Sequence, residues 1–316
     1  KARVNGRVTF LIVAYSICSS MLLILNKVAV TYLPAPSFIL LAQLASCALA
    51  VRGAAAAGVV ECEPLEAGKA RKFALIVVGF IGTLFANVTA LRYVPVDTII
   101  CFRASTPLVI AVIEYFYLGR ELPTARSWAA LGGVFVGVTA YATADVHFTR
   151  VGYLWLAIWY AFAVAEMVWV KKVVDSVSMS TWSRSFYQNA LAVPPMALVA
   201  LATGEAGLVL AGGHSTFAWA AVAASCVAGL GMSYFSFALR AVISATSFSV
   251  IGNVCKVLTI LVNAAMWDQH ANGVGTLALL ACLAAGALYV QPPLRADAHK
   301  VKGAAYAGAV ADKGQV

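Results

Sequence analysis

Ten apolar runs, each long enough to cross a membrane, follow one another along the chain with short polar connections between them. A transmembrane helix needs about 20 apolar residues; here 62% of the 316 residues are apolar and only 11% are charged. This balance excludes an ordinary soluble globule. The sequence therefore predicts an all-α membrane protein with ten transmembrane helices in one domain. The predicted spans are residues 8–33, 36–58, 73–93, 97–118, 126–144, 151–172, 183–203, 215–239, 242–267 and 272–291.

The basic residues are distributed unevenly between alternate connections. If the N-terminus is cytosolic, seventeen Lys and Arg residues fall on the cytosolic side, and only Arg92 and Arg150 fall on the other. Because Lys and Arg concentrate in cytosolic loops, we predict an even number of spans with both termini in the cytosol. The net charge of +9 then reflects topology, and the sequence predicts lipid surroundings and no nucleic-acid partner.

An internal repeat relates the two halves of the chain. Ala90-Leu91-Arg92, at the end of span three, recurs as Ala238-Leu239-Arg240 at the end of span eight, and Thr98 and Thr246 follow at the same offset. Since the repeat covers five spans, an odd number, the second copy is predicted to be inverted, as in many secondary transporters. The predicted bounds are 8–145 and 151–291 for the repeat halves, 1–291 for the domain, and 292–316 for a disordered cytosolic tail.

A polar stripe runs along predicted span nine. Ser249, Gly252, Asn253, Lys256 and Asn263 recur at helical spacing and share one face. A lysine at the centre of a membrane helix costs about 2.5–3.5 kcal/mol on insertion scales. We therefore expect this face to line a cavity or to contact a partner, and we predict substrate-binding roles for its first four residues.

Other charged residues lie within predicted spans. Lys27 ends a polar stripe on span one, Arg103 shares a face with Glu114 on span four, and Glu166 lies on span six. Charges at membrane depth mark substrate pathways or pair with one another. We include Lys27, Arg103 and Glu166 as candidate binding residues. The alternative is structural ion pairing, because Glu114 and Glu166 also lie within spans; Arg103, near a span end, could also extend to the membrane surface.

Span seven carries a second cluster, Phe186-Tyr187-Gln188-Asn189, followed by Pro194-Pro195. The two prolines free backbone carbonyls and predict a kink, and interrupted membrane helices often mark binding sites. Asn189 offers both a donor and an acceptor, as reading a nucleobase edge requires, and Tyr187 offers a ring for stacking. The alternative is a polar helix start followed by a structural kink.

Signatures of enzymes and metal sites are missing from the sequence. The seven cysteines show no paired spacing, the four histidines are scattered, and no phosphate-binding glycine loop or metalloprotease motif is present. We predict no catalytic residues, no metal and no cofactor.

Two of these motifs resemble those of GDP-mannose transporters. Gly252-Asn253-Val254-Cys255-Lys256 resembles their Gly-Ala-Leu-Asn-Lys motif, and Phe186-Tyr187-Gln188-Asn189 resembles their Phe-Tyr-Asn-Asn motif. Phe102-Arg103 and the run after Ser244 are similar to plant-type GDP-sugar carriers, including GDP-fucose carriers. The resemblance implies the drug/metabolite transporter fold in the Golgi membrane and exchange of a cytosolic GDP-sugar for lumenal GMP. It also implies guanine recognition by Tyr187 and Asn189, with Gly252 and Lys256 at the sugar and phosphate end.

The chain departs from the family pattern at two places. Gln188 replaces an asparagine, and the amide of the second motif has moved two residues back, to Asn253, a rotation of about 200° around the helix. A plastid-type triose-phosphate translocator is the nearest alternative, although Val257 stands where such carriers usually have an arginine. A non-transporting membrane assembly partner is the other. The sequence leaves open which sugar is carried and whether the carrier is a homodimer.

Overall fold

The computed structural model describes residues 2–90, 93–94, 96–143, 149–266 and 288–295. Within these residues the backbone is helical, and the only extended pairing is an isolated antiparallel bridge between Arg120 and Leu294. The helices are α1 (Ala2–Tyr32), α2 (Pro36–Ala56), α3 (Ala67–Ala90), α4 (Val96–Tyr117), α5 (Ala125–Thr143), α6 (Arg150–Ser176), α7 (Thr181–Ala202), α8 (Glu205–Leu210), α9 (Thr216–Val242) and α10 (Ala245–Met266).

The all-helical prediction is confirmed for the described part of the chain. The first nine predicted spans each correspond to one long helix, whereas the tenth, at 272–291, lies almost entirely outside the described residues. Five described helices, namely α1, α2, α3, α6 and α9, are long and apolar enough to cross a membrane. The short helix α8 was not expected; Gly204, with φ of +74°, makes the tight turn between α7 and α8.

The described helices form two compact units, and each contains parts of both chain halves. The first contains α1, α2, α3 as far as Gly82, and α7 to α9; the second contains the remainder of α3, α4 to α6, α10 and residues 288–295. The five-helix repeat itself stays a prediction.

In the first unit, α2 packs against α7 and α9, and α1 packs against α9. The Gln43 carboxamide on α2 donates to Asn26 Oδ1 on α1 (2.7 Å) and to Ser225 Oγ on α9 (2.9 Å). At the start of α2, the Phe38 N–H donates to the Glu205 carboxylate at 2.9 Å. The two Gln43 bonds hold α1, α2 and α9 in register. Sliding one helix along another would break them, and an unsatisfied polar group in an apolar surrounding costs several kcal/mol.

In the second unit, α4 is central and packs against α5, α6 and α10. Its core includes the fully buried Trp159 and Leu156 of α6 and Ile110 of α4. The segment after the undescribed stretch returns to the α4–α5 turn, where the Glu121 N–H donates to the Pro293 carbonyl at 3.0 Å. The first residues of the predicted tail are therefore held by main-chain bonds.

Candidate functional site

The polar face of α10 lies against α4 along a row of hydrogen bonds, which we call the α4–α10 seam. Its inner part consists of Arg103 and Thr106 on α4 with Ser249 and Asn253 on α10. The hydroxyls of Thr106 and Ser249 are 3.0 Å apart, and Asn253 Nδ2 donates to the Arg103 carbonyl at 3.3 Å. Ser249 is 1% exposed and Thr106 is 3% exposed. Two members of the predicted stripe thus use polar groups to attach α10 to α4.

The outer part of the seam is the N-terminus of α10. The Glu114 carboxylate accepts hydrogen bonds from the Ala245 N–H (2.7 Å), the Thr246 N–H (3.2 Å) and the Thr246 hydroxyl. Gln291 Oε1 accepts from the Ser244 N–H at 3.1 Å. Unpaired N–H groups at a helix start favour a negative charge, and here the protein itself supplies that charge.

The Glu114 carboxylate forms an ion pair with Arg120, whose Nε lies 3.5 Å from it. Arg120 also donates to the Pro292 carbonyl at 3.0 Å. The Arg103 guanidinium lies over the ring of Trp159, 5.0 Å from its centroid. A cation over an indole face gains about 0.5–2 kcal/mol. The structure therefore assigns Arg103 an aromatic neighbour within the second unit.

The other predicted binding residues of the second unit are placed as follows. Gly252 is partly buried on α10, one turn before Lys256, and the Lys256 side chain lies outside the described residues. Glu166 is half-buried on α6. Lys27 belongs to the first unit, where it is exposed on α1. Their roles in binding stay predictions.

Asn189 on α7 is buried and lies in a small polar cluster with side chains of α2 and α9. Its Nδ2 donates to the Ser185 carbonyl (2.7 Å) and to Ser233 Oγ (2.8 Å). Ser185 Oγ lies 2.7 Å from Ser233 Oγ and 3.6 Å from Cys47 Sγ. Within the described part of the chain, the amide nitrogen is engaged and Oδ1 accepts no hydrogen bond. The adjacent Gln188 is half-buried.

Tyr187 faces the connection between α2 and α3. It is fully buried, its hydroxyl donates to the Pro64 carbonyl, and the same oxygen accepts from the Glu66 N–H at 2.8 Å. One turn earlier on α7, Ser183 Oγ accepts from the Glu63 N–H at 2.9 Å. The Tyr187 ring packs against Phe73, with the centroids 5.4 Å apart. In this conformation Tyr187 holds a loop, which sequence reasoning did not anticipate.

Tyr187→Phe is expected to release this loop, because it removes both hydrogen bonds while keeping the ring. We expect a loss of about 1–2 kcal/mol in the free energy of loop opening and faster hydrogen–deuterium exchange at the Glu66 amide. The Glu63 amide, held by Ser183, should be affected less. Tyr234→Phe is the matched control, since the Tyr234 ring packs on Trp182; unchanged exchange at Glu66 in Tyr187→Phe would contradict the assignment.

Cys62, in the same loop, supplies a second measure of loop release. Burial raises the pKa of the Cys62 thiol, partly offset by the positive charge of Arg52. Because the thiolate is the reactive form, alkylation of Cys62 should be slow at neutral pH and faster in Tyr187→Phe. Mass spectrometry of the peptide containing Cys62 measures this rate.

Sequence reasoning missed several residues that the structure brings together. Gln43, Ser225 and Ser233 were not singled out, although each is a polar residue inside an apolar run. Gln43 is 5% exposed and joins three helices. A glutamine in the middle of an apolar run was the available signal, since such residues in membrane helices bond across helices.

The described residues form helices, several of which are long and apolar enough to cross a membrane, and polar side chains are buried between them. These features define a polytopic membrane protein. The model of the Triose-phosphate Transporter family matches residues 6–289. The chain therefore belongs to the Triose-phosphate Transporter family, a family of carriers rather than enzymes. This confirms the predicted membership of the drug/metabolite transporter group.

Similar proteins include two from Arabidopsis thaliana. The chain is 34% identical to GDP-fucose transporter 1 over 288 residues, which cover 89% of this chain and 84% of that protein. It is 31% identical to the GDP-mannose transporter GONST3 over 287 residues, covering 89% of this chain and 77% of that protein. A known crystal structure superposes with a TM-score of 0.63 at 19% identity, covering 89% of this chain and 96% of that one, and supports the fold alone.

Proposed function

We propose that this protein is a nucleotide-sugar transporter that exchanges a cytosolic GDP-sugar, of the GDP-mannose or GDP-fucose type, for lumenal GMP. The observation that carries the proposal is the likeness, over 89% of the chain, to one GDP-fucose and one GDP-mannose transporter. The buried polar clusters on apolar helices are consistent with a polar substrate, because such groups at membrane depth mark substrate pathways.

The proposed binding residues divide by chemistry. Asn189 reads the guanine edge through its carboxamide oxygen, with Gln188 beside it and Tyr187 supporting the helix that carries both. Lys256 and Arg103 neutralise the diphosphate, which carries about two negative charges. Gly252 permits close approach of the backbone. The remaining proposed residues are Ser249, Asn253, Lys27 and Glu166.

In the proposed topology, the protein crosses the Golgi membrane ten times, in two inverted repeats, and both termini lie in the cytosol. Three sets of bonds agree with its sidedness. The Glu205 carboxylate accepts a hydrogen bond from the start of α2, and both segments are predicted to be lumenal. The α2–α3 connection binds the start of α7, and residue Gln291 binds the start of α10; these segments are predicted to be cytosolic. Alternating access between the two sides completes the proposal.

Exchange is the testable part of the mechanism. Proteoliposomes preloaded with GMP are expected to take up GDP-sugar about tenfold faster than empty ones, since a reorientation barrier higher by ~1.4 kcal/mol in the empty carrier is sufficient. The reason is that unneutralised cations oppose movement through the membrane interior. Uptake of radiolabelled GDP-mannose and GDP-fucose measures the rate, with protein-free liposomes as the control. Equal rates with and without GMP would rule out obligate exchange.

Thermal unfolding in detergent separates the alternatives. A nucleotide-sugar carrier is stabilised by GMP and GDP-sugars, by about 2.7 kcal/mol at a hundred times the dissociation constant. A plastid-type carrier is stabilised by triose phosphate instead. A non-transporting assembly partner responds to none of these ligands.

A further inference from the structure

Pro107 removes one backbone hydrogen bond from the turn of α4 between Arg103 and Pro107, which we call the opened turn. A proline has no N–H group, so the carbonyl four residues earlier loses its helical hydrogen bond. Pro107 lies inside α4, and the carbonyl that it leaves without a helical donor is that of Arg103. In an apolar surrounding this carbonyl must find other donors. The structure supplies two, the Thr106 hydroxyl at 2.7 Å and the Asn253 carboxamide at 3.3 Å.

The two donors belong to one connected set of hydrogen bonds. A hydroxyl has a single proton, and Thr106 gives its proton to the Arg103 carbonyl. In the 3.0 Å contact between Thr106 and Ser249, Ser249 is therefore the donor. Asn253 therefore donates directly to the Arg103 carbonyl. Ser249, one turn earlier on α10, donates to the Thr106 hydroxyl, which in turn donates to that carbonyl.

The residue at this junction also carries a positive charge. The Arg103 guanidinium lies 5.0 Å from the centroid of the Trp159 ring on α6, and Trp159 is fully buried. Arg103 consequently connects three helices: its backbone carbonyl contacts α10, and its side chain contacts α6. A shift of this turn would move the Arg103 backbone, from which the guanidinium side chain extends to Trp159.

We infer that Asn253 is a positioning residue, which acts through the Arg103 carbonyl to fix the Arg103 guanidinium for the phosphate groups of the substrate. The inference rests on the proposed function. It gives the amide at position 253, where the chain departs from the motif that it resembles, a structural task on α4 rather than a direct contact with sugar.

Asn253→Ala is expected to weaken the binding of phosphorylated ligands selectively. The dissociation constant of GMP should rise about tenfold, in line with one hydrogen bond to a critical group, whereas that of uncharged guanosine should change by less than about twofold. Binding is measured by titration calorimetry on purified protein in detergent. A residue that only packs α10 against α4 would weaken both ligands equally, so equal losses would overturn the inference.

Pro107→Ala supplies the rescue. An alanine at this position restores an N–H group to the Arg103 carbonyl, which then no longer needs Asn253. In the Pro107→Ala background, Asn253→Ala should change GMP affinity by less than about twofold, and the two substitutions should be non-additive in thermal unfolding. Additive effects in both measurements would overturn the inference.

Ser105→Ala is the matched control on the same helix. Ser105 Oγ donates to the Phe102 carbonyl at 2.8 Å, the same type of bond as that of Thr106, but this carbonyl keeps its helical donor. Ser105→Ala should leave the ratio of GMP to guanosine affinity unchanged, and a shifted ratio would overturn the assignment to the opened turn. Absence of GMP binding by the wild-type protein would instead reject the proposed function, while the unfolding cycle would still report on the link between Asn253 and Pro107.

Discussion

Replacing Lys256 with alanine is expected to abolish nucleotide-sugar transport while leaving a folded protein. The lysine lies on α10, one turn after Gly252, on the helix face that also carries Ser249. Without it, the diphosphate would enter an apolar surrounding with less compensating charge. A charge at membrane depth costs about 3 kcal/mol on insertion scales. If the loss of Lys256 raises the transport barrier by that amount, the transport rate falls by roughly 100-fold.

The folded state should tolerate this substitution, because alanine removes an unfavourable charge from an apolar helix. Uptake into proteoliposomes and elution as a single species in size-exclusion chromatography are the two measurements. Lys172→Ala is a matched control, since the Lys172 ammonium lies 5.3 Å from the Trp169 ring centroid on the exposed part of α6. Transport at the wild-type rate in Lys256→Ala would return this lysine to a structural role.

Glu114→Ala is expected to produce the largest loss of stability, about 3–5 kcal/mol, as for other buried charges that lose a partner. The carboxylate is 1% exposed and accepts three hydrogen bonds from Ala245 and Thr246. Its removal leaves two N–H groups at the start of α10 without acceptors and leaves Arg120, which is 6% exposed, without its carboxylate.

Thermal unfolding of purified protein measures the effect of this substitution. Glu114→Gln keeps the shape and one acceptor but not the charge, so an intermediate loss is expected. Glu121→Ala is the control, because the Glu121 side chain is exposed and the bond that holds this residue in the described part of the chain runs from its backbone N–H to the Pro293 carbonyl. That change should remain within about 0.5 kcal/mol. A loss no larger in Glu114→Ala than in Glu121→Ala would show that the start of α10 does not depend on Glu114.

Hydropathy predicted the described helices well and their ends less well. The predicted span at 183–203 agrees closely with Thr181–Ala202, whereas α3 begins at Ala67, six residues before the apolar run. The difference has a physical cause. Hydropathy detects the part of a helix that faces hydrocarbon, and the charged first turns of α3, which include Lys69 and Lys72, are helical but polar.

Sequence patterns identified the polar residues of the candidate site, but not the residues on other helices that they bind. Helical spacing placed Ser249 and Asn253 on one face of α10, and the structure shows that this face meets α4. Spacing along α4 placed Arg103 and Glu114 on one face, but the donors that bind the Glu114 carboxylate lie 131 and 132 residues away at the start of α10. Contacts between distant segments depend on tertiary packing, which periodicity within one helix does not report.

The interleaving of the two units has a consequence for biosynthesis. Gln43 and its partner Ser225 are 182 residues apart, so at about 5–20 residues per second the ribosome needs roughly 10–35 s to supply the second after the first. The second unit likewise waits for α10, since Glu114 binds Ala245. A nascent chain that stops after α6 therefore contains neither unit complete and leaves Glu114 in the membrane without the start of α10. Premature truncation should yield a substrate for membrane quality control rather than a folded half-carrier.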